Sequence, residues 1–351
     1  VGAVLSAKEA DELIASNKVD MVAFGRAFIA DPYWPRKILE NREEDVVPCL
    51  RCLQCYHIST NRRNVGCSVN PRYTNEDFIP ETITPATIKK KVVVIGGGPA
   101  GIQAALTASQ RGHEVILFEQ ASNLGGQLVN VAKEHFKEDV QRFHQYLLDQ
   151  IHKSEIAIHL NEKATPEIVK ALAPDTIVVA VGASQIKLPI PGIDQEMVLD
   201  AISAIKEPEK LGANIVIIGG GTIGAEIGLE LSLIDNKNVT IIELGSELAP
   251  QGNMLYKVAL NQKVKLAETL TVNLNSSCQK ITDNSVVIEK DGILEEIPCD
   301  NVIYCTGLKA NSLMAESFYG ITPDTVTIGD CVNPRKIMEA IYEGHAFALN
   351  I

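Results

Sequence analysis

Four cysteines are the side chains of this sequence whose types and spacing most directly indicate chemistry. Cys49, Cys52 and Cys55 are separated by two residues each, and Cys67 follows after eleven more. Gaps of two residues allow one tight loop to direct three thiolates at a common centre, and a returning segment supplies the fourth. Three close cysteines and one remote cysteine are the ligand pattern of an iron–sulfur cubane. The spacing therefore predicts a 4Fe-4S cluster held by these four residues.

Zinc and a disulfide are the alternatives for this cysteine segment. Zinc sites more often use two separated C-x2-C pairs or mix cysteine with histidine, and a disulfide among three close thiols leaves an odd partner. Nearby cations stabilise an anionic cluster, although a solvated basic loop has the same composition. In a chain of net charge −12, residues 46–72 contain no Asp or Glu but four arginines, Arg51, Arg62, Arg63 and Arg72.

Two glycine-rich segments further along the chain predict nucleotide-binding turns. The first, GGGPAG, lies between an apolar strand and a helix, and Glu119 ends the next strand 23 residues after Gly96. In such a unit the pyrophosphate of a dinucleotide meets free N–H groups at the helix start, and the acid accepts from the ribose hydroxyls. A turn used only for helix–strand packing is the alternative. The predicted contacts are Gly96, Gly98, Pro99, Ala100, Gly101 and Glu119.

The second segment, GGGTIG, repeats this arrangement. Its glycines are Gly219, Gly221 and Gly224, and Glu243 ends the next strand 24 residues after Gly219. Two such folds imply two dinucleotides. A carboxylate at Glu243 favours the free diol of NAD(H), because it would repel the 2′-phosphate of NADP(H), and the next basic residue is only Lys257. We therefore predict NADH as the coenzyme.

Other glycines at strand ends extend the predicted dinucleotide sites. LGGQL offers a flexible backbone, and two apolar runs, TIVVAVG and DNVIYCTG, each end in glycine. The acid in the last GD pair suits a flavin ribityl or pyrophosphate contact, and it would equally suit a helix cap. The additional predicted contacts are Gly126, Gly182, Gly307, Gly329 and Asp330.

The elements that position these motifs predict an α/β protein. With 351 residues and 46% apolar residues the chain can form two or three domains. An amphipathic helix is predicted from Glu138 to His152, and a Pro- and Thr-rich linker from Ser68 to Lys91. The acidic balance disfavours a nucleic-acid partner. Neither a transmembrane segment nor a signal peptide is expected, and the clustered thiols favour a cytoplasmic location.

The first forty residues predict a strand–helix repeat. Ser6 can cap a helix carrying Ala10, and Val19–Phe24 reads as a strand that runs directly into Gly25 and Arg26. A glycine after a strand lets the backbone approach a phosphate, and arginine adds a forked cation. A loop glycine and a surface arginine would look the same. The residues in question are Gly2, Gly25 and Arg26.

The order of these motifs resembles the NADH:flavin oxidoreductase family, which includes 2,4-dienoyl-CoA reductase, enoate reductases and trimethylamine dehydrogenase. The GR pair, the cysteine loop, GGGPAG, the nested GGGTIG and the final GD match its C-terminal half over essentially the whole chain. The resemblance implies FMN at Gly2, Gly25 and Arg26, a 4Fe-4S cluster on the cysteines, FAD at the first fingerprint with Gln127 and Asp330, and NAD(H) at the second. Most of the family's barrel is missing, so the catalytic residues are unknown, and we expect the chain to be part of a longer polypeptide.

The resemblance also implies a domain order. The fold class is α/β, with the C-terminal remnant of a TIM barrel, a cysteine-rich iron–sulfur loop, and two nested Rossmann-like FAD and NAD(P) domains. The expected ranges are 1–45 for the end of the FMN-binding barrel, 46–75 for the cluster loop, 76–190 and 301–351 for the FAD-binding domain, and 191–300 for the NAD(H)-binding domain.

The cofactor types imply a mechanism. NADH gives up two electrons as hydride, a cluster accepts one electron at a time, and a flavin converts between the two modes. We therefore predict the electron-input half of an oxidoreductase: NADH reduces FAD, electrons pass through 4Fe-4S to FMN, and FMN reduces an activated C=C bond. The substrate would be a small molecule of the 2-enoate or dienoyl-CoA type. A homo-oligomer is compatible with the sequence.

Four other functions fit parts of the sequence. An amine dehydrogenase of the trimethylamine dehydrogenase type would not need the intact second fingerprint with Glu243. A pyridine-nucleotide disulfide reductase would need a close cysteine pair in a nucleotide domain, and the cysteines from Cys278 to Cys331 offer none. A glutamate synthase flavoprotein subunit would not place GR ahead of Cys49. An NADH-dependent sensing or electron-transfer module would bleach FAD without turnover of an acceptor.

Overall fold

The computed structural model describes residues 4–61, 64–131, 133 and 135–351. Gly2, Arg62 and Arg63, which the sequence analysis singles out, lie outside the described residues. The chain divides into two compact units. The first comprises Val1–Ala132, Lys137–Ala183 and Ala310–Ile351, and the second comprises Lys133–Phe136 and Ser184–Lys309.

The helices of the described residues are numbered in chain order. They are α1 Ala7–Ala15, α2 Arg26–Ala30, α3 Trp34–Leu39, α4 Gln54–Thr60, α5 Pro99–Gln110, α6 Leu128–Val131, α7 Glu138–His152, α8 Pro166–Ala171, α9 Ala201–Lys206, α10 Thr222–Leu233, α11 Met254–Leu266, α12 Ser312–Glu316 and α13 Ile337–Leu349. Helix α7 has the predicted bounds. The predicted cap of α1 is also confirmed, since Ser6 Oγ accepts from the Glu9 backbone N at 3.1 Å.

The strands follow the same numbering. They are β1 Lys91–Ile95, β2 Glu114–Glu119, β3 Ala157–Leu160, β4 Thr176–Val179, β5 Ala183–Gln185, β6 Val198–Asp200, β7 Asn214–Ile218, β8 Asn238–Ile242, β9 Leu270–Asn273, β10 Ser276–Ile281, β11 Ser285–Lys290, β12 Ile293–Pro298, β13 Asn301–Tyr304, β14 Leu308–Ala310 and β15 Asp324–Thr327.

The first unit is built on a parallel sheet with the order β15-β4-β1-β2-β3. In the central strand β1, Ile95 pairs with Phe118 of β2 on one side and with Val179 of β4 on the other. The chain leaves β1 towards β2 and later returns to the opposite side of β1. Such a reversal of direction opens a crevice at the carboxyl end of the central strand, and Gly96 lies directly after Ile95 there.

The second unit repeats this topology. Its parallel sheet has the order β6-β13-β7-β8-β9, and Ile218 of the central strand β7 pairs with Ile242 and Tyr304. Gly219 follows Ile218 in the position that Gly96 holds in the first unit. A separate antiparallel sheet, β10-β11-β12, lies between β9 and β13 in the chain. The α/β class with two Rossmann-like parallel sheets is thereby confirmed.

The cysteine segment packs into the main core of the first unit. Buried residues of β1, α5, α7 and α13 form this core, for example Val94, Phe143 and Ile341. Cys67 and Val69 belong to the same cluster, at 8% and 6% exposure. The return segment of the cysteine loop is therefore held by the same apolar burial that stabilises the parallel sheet of the first unit.

The predicted strand at Val19–Phe24 is wrong. Among residues 4–61 the structure has helices and irregular segments but no strand, and Met21 is 78% exposed. A strand exists only where a neighbouring strand takes up its backbone N–H and C=O groups. The described residues provide no such neighbour for Val19–Phe24, so the barrel remnant stays a prediction from the family resemblance.

No helix of the described residues combines the length and the apolar character that crossing a membrane requires.

Candidate functional site

The four predicted cluster ligands come together in the first unit. Cys49, Cys52, Cys55 and Cys67 all line one pocket, with apolar residues forming most of the remaining wall. Cys67 is buried, Cys49 and Cys55 are half-buried, and Cys52 is exposed. The four thiols around this pocket therefore range from buried at Cys67 to exposed at Cys52.

The conformation of the loop explains how neighbouring cysteines reach one pocket. Arg51 has φ of 49° and Leu53 has φ of 56°, so the two residues flanking Cys52 are both left-handed. This conformation is costly for a bulky residue such as leucine. Helix α4 begins directly after Leu53 and carries Cys55 in its first turn. A backbone conformation of this energy persists only where the surrounding structure maintains it, and such conformations cluster at functional sites.

Burial opposes charge on these thiols. It raises the pKa of Cys67 to about 11, and it raises the pKa of Cys49 and of Cys55. Arg51 N donates to Cys49 Sγ at 3.4 Å, and Ser68 Oγ lies 3.3 Å from Cys52 Sγ, where either atom can donate. A thiolate in this pocket therefore needs a cationic partner, which a metal centre supplies.

Zinc and a cubane make different demands on these thiols. A tetrahedral zinc ion needs its sulfur ligands about 2.3 Å from one centre. A cubane binds each thiolate to a different iron and so takes a wider ring of ligands. Among the described residues, which include all four cysteines, no three His, Cys, Asp or Glu side chains are placed as a ready site for one metal ion. The four thiols share one pocket, and the metal that they hold stays a prediction.

Asp31 fixes the start of the cysteine loop. Its carboxylate is 2% exposed and accepts from Lys37 Nζ at 2.6 Å, from Val47 N at 3.0 Å and from Tyr33 N at 3.0 Å. Val47 lies two residues before Cys49. The sequence analysis did not select Asp31, because no local spacing connects it with a residue sixteen positions away.

Gly25 and Arg26, predicted for an FMN phosphate, lie at the start of α2. A Cβ built on Gly25 would have no neighbour within 4 Å, so its backbone is open. Arg26 lines the cysteine pocket. The fold therefore brings Arg26 to the predicted cluster ligands, and its contact with FMN stays a prediction.

The first fingerprint contains both tightly packed and open glycines. A Cβ on Gly101 would lie 1.9 Å from the carbonyl oxygen of Gly96, and a Cβ on Gly96 would lie 2.3 Å from that of Ala180. Gly98 has no such neighbour within 4 Å and caps α5, in which Pro99 is the first residue. The backbone at Gly98 and the α5 N-terminus is therefore accessible to a phosphate.

Glu119 ends β2 beside this turn. Its carboxylate accepts from Gly97 N at 2.8 Å and from Ala121 N at 2.7 Å. The predicted contact Gly126 folds back over the turn, where its Cβ would lie 3.0 Å from Gly98 Cα, and Gln127 beside it is exposed. One edge of the sheet is thus surrounded by Glu119, Gly98 and residues 125–127.

Asp330 lies in a short 3-10 turn, Gly329–Cys331. Its carboxylate accepts from Arg335 N at 3.0 Å, and burial raises its pKa. Helix α13 is capped at Lys336, so Asp330 does not cap it. A Cβ built on Gly329 would lie 3.0 Å from Ala100 Cβ, so this turn lies against the start of α5. Asp330 therefore lies at the same end of the sheet as the first fingerprint.

The second fingerprint repeats the first in detail. A Cβ on Gly224 would lie 2.0 Å from the carbonyl oxygen of Gly219, whereas Gly221 caps α10 with no neighbour within 4 Å. Glu243 accepts from Gly220 N at 2.6 Å and from Gly245 N at 2.6 Å. The second unit therefore has the same open helix N-terminus beside the same carboxylate.

Two further predicted glycines lie at turns of the backbone. In the first unit, Gly182 has φ of 67°, and its carbonyl oxygen accepts from Asn311 N at 3.1 Å. In the second unit, Gly307 has φ of 103°, and its carbonyl oxygen accepts from Ile186 N at 2.9 Å. Each follows a parallel strand, β4 and β13 respectively, at the carboxyl edge where ligands of such sheets bind.

A family model described as pyridine nucleotide-disulphide oxidoreductase matches residues 90–324, more than half of the chain. The chain belongs to this family. The match covers both fingerprints, and it implies FAD and NAD(P)H as cofactors. The cysteine pocket lies ahead of the matched residues.

Longer relatives match the whole chain, including the cysteine segment. NADH oxidase of Thermoanaerobacter brockii is 32% identical over 100% of this chain and 55% of its own length. Cinnamate reductase of Clostridium sporogenes is 33% identical over 97% of this chain and 51% of its own. A solved complex of 2-naphthoyl-CoA reductase with 2-naphthoyl-CoA has a TM-score of 0.94 at 32% identity, covering 99% of this chain and 53% of that one.

These relatives confirm the resemblance to the C-terminal part of the enoate reductase and 2,4-dienoyl-CoA reductase family. The chain spans about half the length of the curated relatives it matches.

Proposed function

We propose that this chain is the electron-input half of an iron–sulfur flavoenzyme. NADH would reduce FAD, and a 4Fe-4S cluster would carry single electrons on to FMN for reduction of an activated C=C bond. The observation that carries the proposal is the pocket shared by Cys49, Cys52, Cys55 and Cys67 next to a dinucleotide-binding sheet.

The cysteine pocket fits the cluster in ligand type and number. A bound cubane would supply one-electron transfer between partners that exchange electrons in pairs. The chain's own residues would hold it: four thiolates bind iron, the Ser68 hydroxyl and the Arg51 backbone N–H direct donors at sulfur, and the apolar wall limits water. Such donors and such burial set the potential of a cluster.

The two fingerprints fit FAD and NADH respectively. In the first, the open α5 N-terminus at Gly98 would receive the pyrophosphate of FAD, Glu119 its ribose hydroxyls, and Asp330 a further polar part of the flavin. In the second, Gly221 and Glu243 would do the same for NADH. Lys257, the next basic residue after Glu243, is held by Glu247 at 3.0 Å, which supports NADH over NADPH.

The same cofactor assignments imply the domain ranges of the chain. The cluster loop would occupy 46–75, the FAD-binding domain 76–190 and 301–351, and the NAD(H)-binding domain 191–300. The strand β13 is an exception to these ranges, because it pairs with β7 in the sheet of the second unit, Ser184–Lys309. Residues 1–45 would complete an FMN-binding barrel, with Gly25 and Arg26 at the phosphate.

The names of the relatives support the substrate class. A cinnamate reductase and a 2-naphthoyl-CoA reductase at 32–33% identity favour an enoate or an aryl or enoyl-CoA ester as the acceptor. No side chain of this chain is assigned to the chemistry of that acceptor. The proposed role of this chain is to bind and orient the electron-transfer cofactors.

The test is a cofactor count on anaerobically purified protein. Iron, acid-labile sulfide and flavin are measured, and visible and EPR spectra are recorded before and after NADH. We expect about four irons per chain, and bleaching of the flavin by NADH. The Cys52→Ser variant should lose the cluster, whereas Cys278→Ser, a half-buried cysteine outside the pocket, should keep it. Stoichiometric zinc, or a cluster retained in Cys52→Ser, would contradict the proposal.

A further inference from the structure

Residues 124–127 fold back onto the glycine turn of the first fingerprint. Gly125 N donates to the carbonyl oxygen of Gly97 at 2.8 Å. A Cβ built on Gly126 would lie 3.0 Å from Gly98 Cα, at the open N-terminus of α5. The segment therefore borders the place that the proposed function gives to the pyrophosphate of FAD.

This segment presents two backbone donors to a ligand. Gly126 and Gln127 are exposed, and within the described part of the chain their N–H groups have no backbone acceptor. Free N–H groups beside a helix N-terminus add to its affinity for anionic oxygen atoms. The usefulness of the two donors therefore depends on what holds residues 124–127 in place.

His144 holds the segment from the side of α7. Its Nε2 lies 3.0 Å from the carbonyl oxygen of Leu124. A carbonyl oxygen only accepts, so Nε2 carries the hydrogen of this bond. Leu124 is 4% exposed, and a buried acceptor that loses its donor costs more free energy than an exposed one, because water does not replace the bond.

The imidazole ring occupies the space beside Gly125. A Cβ built on Gly125 would lie 2.2 Å from His144 Nε2 and 2.7 Å from His144 Cδ2. Gly125 also has φ of 119°, in the region that favours glycine. A residue with a Cβ at position 125 would therefore displace the ring from the Leu124 carbonyl oxygen.

The second unit contains the corresponding segment. Ala249 N donates to the carbonyl oxygen of Gly220 at 2.8 Å, which matches the bond of Gly125. The next residue is Pro250, which has no N–H group, where the first unit has Gly126. A backbone donor at this position is thus present in the unit assigned to FAD and absent from the unit assigned to NADH.

We propose that His144 is a positioning residue for FAD, because through the Leu124 carbonyl oxygen it holds the N–H groups of Gly126 and Gln127 towards the flavin nucleotide. The inference deepens the proposed function and rests on FAD in the first unit. A segment that is fixed before the ligand binds loses less conformational entropy on binding. His144 acts through Leu124 and needs no contact with FAD in this role.

The experiment measures the release of FAD from the purified holoprotein. FAD that appears in the filtrate after dilution is quantified by chromatography, which separates it from FMN. His144→Phe keeps an aromatic ring and loses the donor. Its rate of FAD release should rise about tenfold, since the loss of one hydrogen bond to a buried acceptor has about this effect and acts mainly on dissociation. The KM for NADH at saturating FAD should stay within about threefold of wild type.

Three further variants separate the hydrogen bond from the packing of α7. His144→Gln supplies an N–H donor at a similar reach and should release FAD within about threefold of the wild-type rate. His144→Asn carries the same amide closer to the backbone, so it should behave like His144→Phe, and it replaces that variant if phenylalanine prevents folding. His152→Phe changes an exposed histidine at the end of the same helix and is the matched control, with release at the wild-type rate.

Hydrogen exchange of the wild-type protein tests the segment without any substitution. Peptides that cover residues 124–127 should exchange more slowly with FAD bound than after its removal. Exchange that FAD leaves unchanged, or purified protein without FAD, would contradict the proposed position of FAD itself.

The inference about His144 fails in a different way. Release at the wild-type rate from the variants without the donor, or equally fast release from His144→Gln and His144→Asn, would overturn it. A change in the KM for NADH as large as the change in FAD release would also overturn it, because it would indicate a general loss of structure. The two failures are therefore distinguishable.

Discussion

Glu243 accepts a hydrogen bond from the backbone N of Gly220 at 2.6 Å. Glu119 accepts the corresponding bond from Gly97 at 2.8 Å in the first unit. In both units the acid at the end of the second strand is thus held against the glycine turn before any ligand binds. A carboxylate oriented in advance loses little conformational entropy when it accepts from a ribose.

Replacing Glu243 by Gln should weaken NADH binding and reduce the preference over NADPH. Hydrogen bonds to a charged group contribute about 1.5–3 kcal/mol, so the KM for NADH should rise about tenfold to a hundredfold. NADPH should gain relative to NADH, because the carboxylate no longer repels the 2′-phosphate. Stopped-flow reduction of the flavin at varied coenzyme concentration measures both effects.

The control for Glu243 is Glu247→Gln in the same loop. This change breaks an exposed ion pair with Lys257, and exposed pairs contribute about 0.2–1 kcal/mol. The KM for NADH should therefore move by less than about fivefold. An unchanged KM in Glu243→Gln would show that the carboxylate does not contact the ribose.

Substitution of two glycines in the first fingerprint should affect different properties, the stability of the fold at Gly101 and the binding of FAD at Gly98. In Gly101→Ala the new Cβ would lie 1.9 Å from the Gly96 carbonyl oxygen, so the strand and α5 must move apart, at a cost of about 1–3 kcal/mol in the free energy of unfolding. In Gly98→Ala the Cβ meets no protein atom within 4 Å. That variant should lose FAD and keep the thermal midpoint of the flavin-free wild-type protein, because only the stabilisation by bound FAD is lost. Thermal unfolding and flavin content after gel filtration check this.

The same pair exists in the second unit, with Gly224 crowded and Gly221 open. Gly221→Ala should impair NADH binding without loss of FAD. A Gly98→Ala protein that retains FAD at wild-type level would contradict the proposed position of the pyrophosphate.

Asp31→Ala should release the start of the cysteine loop. The change removes the acceptor of Val47 N and leaves the Lys37 ammonium, 17% exposed, with only the Asp45 carbonyl oxygen at 2.8 Å and without its carboxylate partner at 2.6 Å. Breaking a buried pair from one side costs about 3–5 kcal/mol. We expect lower stability in urea and reduced iron content.

Glu40→Gln is the control for Asp31, since the Arg36–Glu40 pair is exposed on the following helix. Its stability should change by less than about 1 kcal/mol, and its iron content should not change. Equal iron in Asp31→Ala and wild type would show that the loop does not depend on this anchor.

His345 should make the protein sensitive to acid. It lies on α13, is 8% exposed, and its Nδ1 is 3.1 Å from Thr107 Oγ1 of α5. Burial lowers its pKa to about 4 from the ordinary 6.5. Because the folded-state pKa is lowered, the contribution of the neutral ring is fully present above about pH 6.5. This contribution of about 3 kcal/mol is lost progressively as the pH falls from about 6.5 to about 4, where the unfolded state binds a proton that the folded state does not.

The measurement is urea unfolding between pH 7 and pH 4.5 for wild type and His345→Gln. The variant should lose less stability over this range than wild type, and the difference isolates His345 from the carboxylates. His152→Gln, an exposed histidine at the end of α7, should follow wild type. Parallel pH profiles for wild type and His345→Gln would contradict the prediction.

Features that depend on local spacing could be predicted from the amino-acid sequence alone. The four cysteines, both glycine fingerprints with their acids, the Ser6 cap and the helix Glu138–His152 are all short-range patterns. Backbone geometry and side-chain periodicity act over a few residues, so such patterns can be read without knowing the path of the chain. The exact repetition of the Glu119 arrangement at Glu243 follows from the same local pattern.

Contacts between residues that lie far apart in the sequence became known only from the folded chain. Arg51 pairs with Asp139 across 88 positions, Asp31 holds Val47 across sixteen, and Arg26 faces the cysteines instead of lying on a free surface. The strand predicted at Val19–Phe24 did not form, because pairing partners are supplied by the rest of the fold and not by the segment itself. Contacts of this kind depend on chain topology, which the local pattern of residues does not specify.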